Sequence, residues 1–529
     1  MKRFGVMLDC SRNAVMKPEE VINFAKLLKS FGYNMIQLYT EDTFEVEGEP
    51  FFGYMRGRYT QAQLSFVVEE CEKIGIEVIP CVQTLAHLNQ IFRWEEYRAI
   101  NDTVDILLVE EDRTYKLIES IFKTLRKCFK SNYVHIGMDE AHMLGLGKYL
   151  DKNGFKNRFE ILSNHLKKVI DIAEKYNFKP IMWSDMFFRL GNHGEYAPKN
   201  PNISQDVIEI TPKNVGLVYW DYYHEDKKMY DEMFLAHKKF NNEIWFAGGA
   251  WTWTGFASGN EFTMQTMIPA MQAAKEHQID NVLFALWGDN GKECSFYSVL
   301  PSLFALKKLY DGQRDMTKIK TEFNQITGED FDALSACDLP NYVGENRNCK
   351  SNISKYALYG DPFNCWLESE IKDSINEEYT KYAELLFGYA QKSKNYSYIF
   401  EALASLCDVL SLKYGLGYRT RIAYNKKENF QLSKIIEEYL LVETKLEIFY
   451  QKFRDLWYKE NNPNGFDVHD IRLGGLKQRL RSCRERLMDY VKGNIINIPE
   501  LEENILDRFS KEEIFGCYMW SEMVTTNVL

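Results

Sequence analysis

No run of about 18 uninterrupted apolar residues occurs in this 529-residue chain, so no membrane-spanning helix is expected. The opening residues, MKRFGVMLDCSR, reach Asp9 after a short apolar run. That run is too brief for the apolar core of a secretory signal, and a cytoplasmic location is expected. The 11 cysteines are scattered, odd in number and contain no CxxC pair. Zinc-site spacing is therefore absent, and reduced, mostly buried thiols are expected. Positive charge is not in excess. A net charge of -11 argues against nucleic acid or an anionic membrane surface as partner, because both select basic patches. No glycine-rich phosphate turn follows an early strand, which removes a doubly wound dinucleotide-binding fold. Proline is missing between Pro362 and Pro463. Internal repeats and low-complexity segments are not found either.

What is present is aromatic and periodic. The chain carries 32 Tyr, 34 Phe and 10 Trp, side chains that fill cores and also form platforms for sugars and bases. Its length exceeds one compact core, so two domains are expected. Up to about residue 310, short β-branched runs alternate with amphipathic helical stretches such as PEEVINFAKLLKSFG. Candidate strands are 3–9, 35–40, 77–84, 133–139, 179–185, 215–221, 243–251 and 282–289. Eight strand–helix units predict a (β/α)8 TIM barrel over 1–310. The remainder, 311–529, reads as an α-helical C-terminal domain. There Tyr382, Leu385, Leu386 and Tyr389 keep helical spacing, as do Ile435, Tyr439, Val442, Leu446, Phe449 and Phe453. An apolar, aromatic-rich bundle of this kind packs on the barrel or on a second copy, so a homodimer is a further expectation. The segment FDVHDIRLGGLKQRLRSCRERL reads first as a helix start with a solvated basic face, and second as a contact near a site.

The predicted carboxyl ends of the strands carry residues that packing does not explain. They are Asp9 and Arg12, Glu41 and Asp42, His87, Asp139 and Glu140, Trp183 and Asp185, Trp220 to Tyr222, Trp251 and Trp253, and Trp287 and Asp289. Active sites of this fold occupy that face. The stretch YVHIGMDEAH places two carboxylates side by side at a strand end. Asp-Glu could simply open the next helix, since acids suit a helix N-terminus. The company it keeps favours a site. A carboxylate pair beside a tryptophan-lined pocket suits glycoside hydrolysis, in which an acid protonates the departing oxygen. Neighbours on one strand diverge, so they cannot face each other across a bond as in the usual retaining scheme. The adjacency fits substrate-assisted hydrolysis, in which the sugar's 2-acetamido oxygen is the nucleophile.

HIGMDEAH resembles the H-x-G-x-D-E signature of glycoside hydrolase family 20, the β-N-acetylhexosaminidases. LDCSR, YTEDTF, PCVQTLAHL, MWSDMF and LWGDNG resemble the family's motifs at strands one, two, three, five and eight. The helical tail is similar to that of a bacterial branch specific for terminal N-acetylglucosamine. The resemblance implies an exo-acting enzyme that releases terminal β-linked GlcNAc, or GalNAc, from glycans or oligosaccharides, with retention, through an oxazoline and without cofactor or metal. It implies Glu140 as general acid and then base, and Asp139 as the carboxylate on the acetamido N–H. These roles require Glu140 protonated and Asp139 charged. Arg12 and Asp289 would bind outer hydroxyls, with Asp289 standing where most of the family has Glu. Glu41, preferred to Asp42, would join His87 in tuning Glu140. Trp183 and Trp287 would wall the pocket, with Trp220 and Trp251 as further substrate contacts.

Two departures stand out. The family's tyrosine on the acetamido oxygen sits in a Y-x-D motif on strand seven. Here strand seven reads GGAWTW, and YWDYY lies on strand six; Tyr222 is chosen by its parity with Trp220, with Tyr219 second. The family also carries a small α+β domain before the barrel, whereas this chain begins at the first strand. Two other functions fit parts of the pattern. One is a metal-dependent barrel hydrolase using His87, His135, Asp139 and Glu140, though no H-x-H pair ends a barrel strand. The other is a sugar-binding protein that kept the pocket without turnover.

Overall fold

All eight apolar runs become parallel strands. They are β1 (Arg3–Asp9), β2 (Met35–Tyr39), β3 (Glu77–Cys81), β4 (Tyr133–His135), β5 (Lys179–Trp183), β6 (Gly216–Trp220), β7 (Ile244–Gly249) and β8 (Asn281–Leu286). They close in sequence order into one barrel, with Gly5 of β1 registered against Met35 on one side and Leu283 on the other. The computed structural model describes residues 2–198, 201, 203–344, 350, 352–364, 373–506 and 519–528. Alternating side chains of the strands, among them Met7, Met35, Ile79, Ile181, Val218 and Leu283, fill the barrel interior. The others meet the surrounding helices.

Helix boundaries follow local chemistry. Pro18 opens the first helix, Pro18–Phe31, and Gly32 ends it in the left-handed region at φ 94°. Thr60 and Gln63 form a reciprocal cap at the start of Gln61–Lys73. Strand ends are less regular than the sequence predicts. β3 stops at Cys81 and β4 at His135, short of the expected 84 and 139. In β4 the cause is visible: Met138 and Glu140 have φ of 72° and 50°, which no strand ladder accommodates.

After Leu300–Tyr310, the helix that follows β8, the described regular elements are all helical. The proline-free stretch holds Ser397–Lys413 and the whole of the 32-residue Asn429–Glu460 helix, which Asp467–Val491 follows. The stripe from Ile435 to Phe453 is buried as its spacing predicts. In Asp373–Lys392 the buried line instead runs Ile375, Tyr379, Leu386 and Ala390, and Leu385 is exposed. Four residues at helical spacing locate the face but not its centre. Among the described residues no helix is long and apolar enough to cross a membrane. The eight described cysteines are unpaired and buried; Cys349, Cys365 and Cys517 lie outside the described residues.

Candidate active site

The bend after β4 separates the two adjacent carboxylates. A Cβ on Gly137 would lie 2.0 Å from the Gln83 side-chain oxygen, so only glycine lets the chain pass this close to the end of β3. Gln83 then ties the bend together. Its Oε1 accepts from the Met138 N–H at 3.1 Å, and its Nε2 donates to Asp139 Oδ1 at 2.7 Å. On the other oxygen of Asp139 stands His87 Nε2, at 3.2 Å. Burial alone would push the Asp139 carboxyl up. The charge and hydrogen bond of His87, with the Gln83 donor, outweigh burial and hold it below the usual carboxylate range. The converse holds for His87: burial disfavours its cation, but facing Asp139 raises it to about 10. The pair is an ion pair at neutral pH.

Glu140 points the other way. Its carboxylate is 42% exposed, with His87 Nε2 and an Arg189 nitrogen each at 3.7 Å. Its backbone N–H donates to Asp185 Oδ2 at 3.0 Å, an oxygen that also faces Arg189 Nε at 3.2 Å. Asp185 is fully buried, and burial beside Asp139 pushes its carboxyl up to about 7. Two carboxylates that adjoin in sequence thus have different surroundings, one clamped and one open to a cavity.

That cavity, of about 470 Å3, receives Arg12, His87, Glu140 and Asp289 together with the rings of Tyr223, Trp251 and Trp253. Asn290 and Met519 complete its lining. Arg12 is fixed by two carboxylates: Glu41 Oε1 lies 3.0 Å from Nη1 and Asp289 Oδ1 3.2 Å from Nε. Asp9 accepts from the Gly288 N–H at 2.8 Å, joining the ends of β1 and β8. Trp251 and Trp253 stack at 4.2 Å, and the Trp251 indole N–H donates to the Tyr222 carbonyl at 3.1 Å.

The other expected site residues have the following surroundings. Glu41 is buried, held by Arg12 and by the Tyr39 hydroxyl at 3.0 Å; it supports Arg12 and lies within Coulombic reach of His87. Trp183, Trp220, Tyr222 and Trp287 are not among the residues that line this cavity. Trp183 is almost wholly buried, packed on His135 at 4.3 Å and Trp287 at 6.1 Å. Trp220 stacks on Tyr222 at 5.4 Å and lies under the Arg189 guanidinium. The Tyr222 hydroxyl has Trp287 as a hydrogen-bond partner and lies within Coulombic reach of Asp139. Gly249 of β7 makes room for it: a Cβ there would sit 2.9 Å from the Tyr222 ring and 2.8 Å from Trp253. The glycine where β7 lacks a tyrosine thus admits one from β6. Tyr219, the second choice, faces outward, its hydroxyl on Asp221 and its ring against His237. His135 is buried, with Nδ1 accepting the Gly137 N–H. Among the described residues no group of three or more His, Cys, Asp or Glu is placed to hold a metal.

Gln83, Asp185 and Arg189 are site residues to which the sequence alone assigns no role. Gln83 shares strand parity with the inward Cys81, which is a usable signal. Arg189 lies on the Asp185–Gly191 helix and has none.

Comparisons with known proteins show what the chain is similar to. The family model "Glycosyl hydrolase family 20, catalytic domain" matches residues 4–232, and "Glycoside Hydrolase 20C C-terminal domain" matches 329–514. Similar curated proteins include beta-hexosaminidase 1 of Coccidioides posadasii, 23% identical over 37% of this chain and 38% of that protein. Hexosaminidase D of Bos taurus is 21% identical over 47% of this chain and 70% of that protein. The rat beta-hexosaminidase subunit beta is matched over 27% of its length, so the chain spans well under half of two of these three relatives. Among solved structures, a Flavobacterium johnsoniae chitobiase aligns with a TM-score of 0.47 and 13% identity, covering 86% of this chain and 78% of that one. A Vibrio harveyi GH20 exo β-N-acetylglucosaminidase in complex with N-acetylglucosamine aligns with a TM-score of 0.47 and 16% identity, covering 62% and 58%. With family 20 models matching both its barrel and its helical region, the chain belongs to glycoside hydrolase family 20.

Proposed function

We propose that the chain is an exo-acting β-N-acetylhexosaminidase that releases a terminal β-linked GlcNAc, or GalNAc, by retaining, substrate-assisted hydrolysis. The observation that carries this reading is the split between Asp139 and Glu140. Asp139 is ionised, clamped by His87 and Gln83, and suited to accept a hydrogen bond from an acetamido N–H. Glu140 reaches the cavity and is suited to trade a proton with a glycosidic oxygen.

In the first step the acetamido oxygen attacks C1, the C1–O bond breaks, and Glu140 gives its proton to the leaving oxygen. Asp139 stabilises the positive charge that develops on the acetamido group as the oxazoline forms. In the second step a water attacks C1 and gives its proton to Glu140, and the acetamido group is restored. Tyr222 is assigned to the acetamido oxygen, Arg12 and Asp289 to outer hydroxyls, and Trp251 and Trp253 to the apolar sugar face. The reading gives the reaction no metal and no cofactor.

The test is hydrolysis of 4-nitrophenyl β-GlcNAc against the β-glucoside, with a GlcNAc-thiazoline inhibition arm. Cleavage of the acetamido sugar alone, blocked by the thiazoline, is expected. Equal cleavage of the glucoside would overturn the substrate-assisted mechanism.

A further inference from the structure

The turn after β8 carries Asp289 and Asn290 into the cavity, and it is an unusual piece of backbone. Asn290 and Lys292 both sit in the left-handed region, at φ 51° and 52°. Non-glycine residues adopt it at a cost, and persist there only where surrounding structure fixes them. Most of that fixing comes from the helical region. The Asn290 carbonyl accepts from Arg472 Nη1 and from Lys355 Nζ, each at 2.9 Å. Its side-chain oxygen accepts from Arg472 Nη2, also at 2.9 Å. The Gly291 carbonyl takes His469 Nε2 at 2.8 Å and, from the barrel, the Asn13 amide at 3.0 Å. A carbonyl can only accept, so His469 carries its proton on Nε2; burial keeps the ring neutral, with its pKa down at about 3.

Under the turn, Glu293 is buried and pairs with Lys355 at 2.6 Å and Arg472 at 3.3 Å. Lys355 is fully buried and lies within Coulombic reach of Asp289. Burying a lysine is costly unless it is paired and hydrogen-bonded. Here each of its partners is on the turn that bears Asp289.

We propose that Arg472, Lys355 and His469 are positioning residues for the sugar pocket. The helical region sets the turn after β8, so that Asp289 faces Arg12 at the spacing that reads the sugar's outer hydroxyls. The family 20C-type tail is, on this account, part of the specificity apparatus. The proposal rests on the function proposed above and adds a site of control that lies outside the barrel.

The experiment compares full-length wild type with Arg472→Met and Arg472→Lys, measuring kcat and KM on 4-nitrophenyl β-GlcNAc and β-GalNAc. Arg472→Met is expected to raise KM about tenfold or more with kcat little changed, since small misplacements of binding groups are costly. The ratio of kcat/KM between the two sugars should shift. Arg472→Lys keeps the charge and loses the fork, so a smaller rise is expected; it also serves if Arg472→Met does not fold. In an Asp289→Asn background, Arg472→Met should add little further, because the two act through one contact. Folded variants with wild-type KM and sugar preference, or full additivity with Asp289→Asn, would overturn the proposal. If wild type cleaves neither glycoside, the function fails separately. Calorimetric binding of N-acetylglucosamine then decides: weaker binding by Arg472→Met supports positioning, and equal binding or none by wild type overturns it.

Discussion

The two flanks of the pocket are built in different ways. On the β3–β4 flank, the barrel supplies all it needs. Gln83, His87 and Asp139 hold one another through short polar contacts, and Glu140 lies in the same strand-loop neighbourhood with His87 at 3.7 Å. On the β8–β1 flank, Arg12 and Asp289 meet, but the turn beneath Asp289 is pinned by side chains from residues 355, 469 and 472. On the proposed function the chemical step, which needs preorganised charges, falls on this β3–β4 flank. On the same proposal, recognition of the sugar's outer edge falls to a turn held by side chains of the helical region. In a barrel that hosts chemistry on loops, this arrangement lets specificity change without touching the acid.

Glu140→Gln should produce the largest effect on the barrel flank. Loss of a general acid costs about 10²–10⁴-fold in kcat, and the exposed carboxylate makes only long contacts to His87 and Arg189. Thermal stability should barely move. A variant that keeps kcat within tenfold would remove Glu140 from the chemistry.

Asp185→Asn comes next and reads out in stability. The carboxyl titrates near 7 in the fold, against about 3.9 unfolded. A raised acid holds its proton longer in the native state, so its contribution is whole below about pH 4 and is lost as pH rises through about 7. At about 1.36 kcal/mol per pKa unit, the full swing is about 4 kcal/mol. Urea unfolding at pH 5 and pH 8 should show a steeper loss for wild type than for Asp185→Asn. Equal slopes would mean that Asp185 is ionised in the native protein throughout.

A smaller effect, about 10–100-fold in kcat near neutral pH, is expected for His87→Gln. Removing the imidazolium leaves Asp139 buried without its main charge partner, so its pKa rises. The acid limb of the kcat profile should move to higher pH. An unmoved acid limb would show that Gln83 alone keeps Asp139 ionised.

Much of the barrel flank is legible in the sequence. Strand alternation and the carboxyl-end rule suffice to bring Arg12, His87, Asp139, Glu140, Trp251 and Asp289 to one face. Periodicity is silent on depth. Trp183, Trp220, Tyr222 and Trp287 follow the right parity, yet parity does not say which inward residues line the cavity. Glu41 takes φ 42° in the turn after β2 and pairs with Arg12, within Coulombic reach of His87. The β8 flank is the least readable. A turn with two non-glycine left-handed residues gives no periodic signal, and its supports in the helical region lie 65 to 182 residues away in sequence. The FDVHDIRL segment reads first as a helix start with a solvated basic face, and the structure corrects that reading. His469 proves fully buried and Arg472 largely so.

The division of labour between the adjacent carboxylates is the centre of this account. Leaving-group dependence tests it most directly: Asp139→Asn and Glu140→Gln assayed on 4-methylumbelliferyl and 2,4-dinitrophenyl β-GlcNAc. Dinitrophenolate departs without protonation, so Glu140→Gln should recover most of its lost first-step rate on that substrate. Asp139→Asn should stay slow on both, because the acetamido group still lacks its partner. Recovery of both variants, or of Asp139→Asn alone, would contradict the assignment.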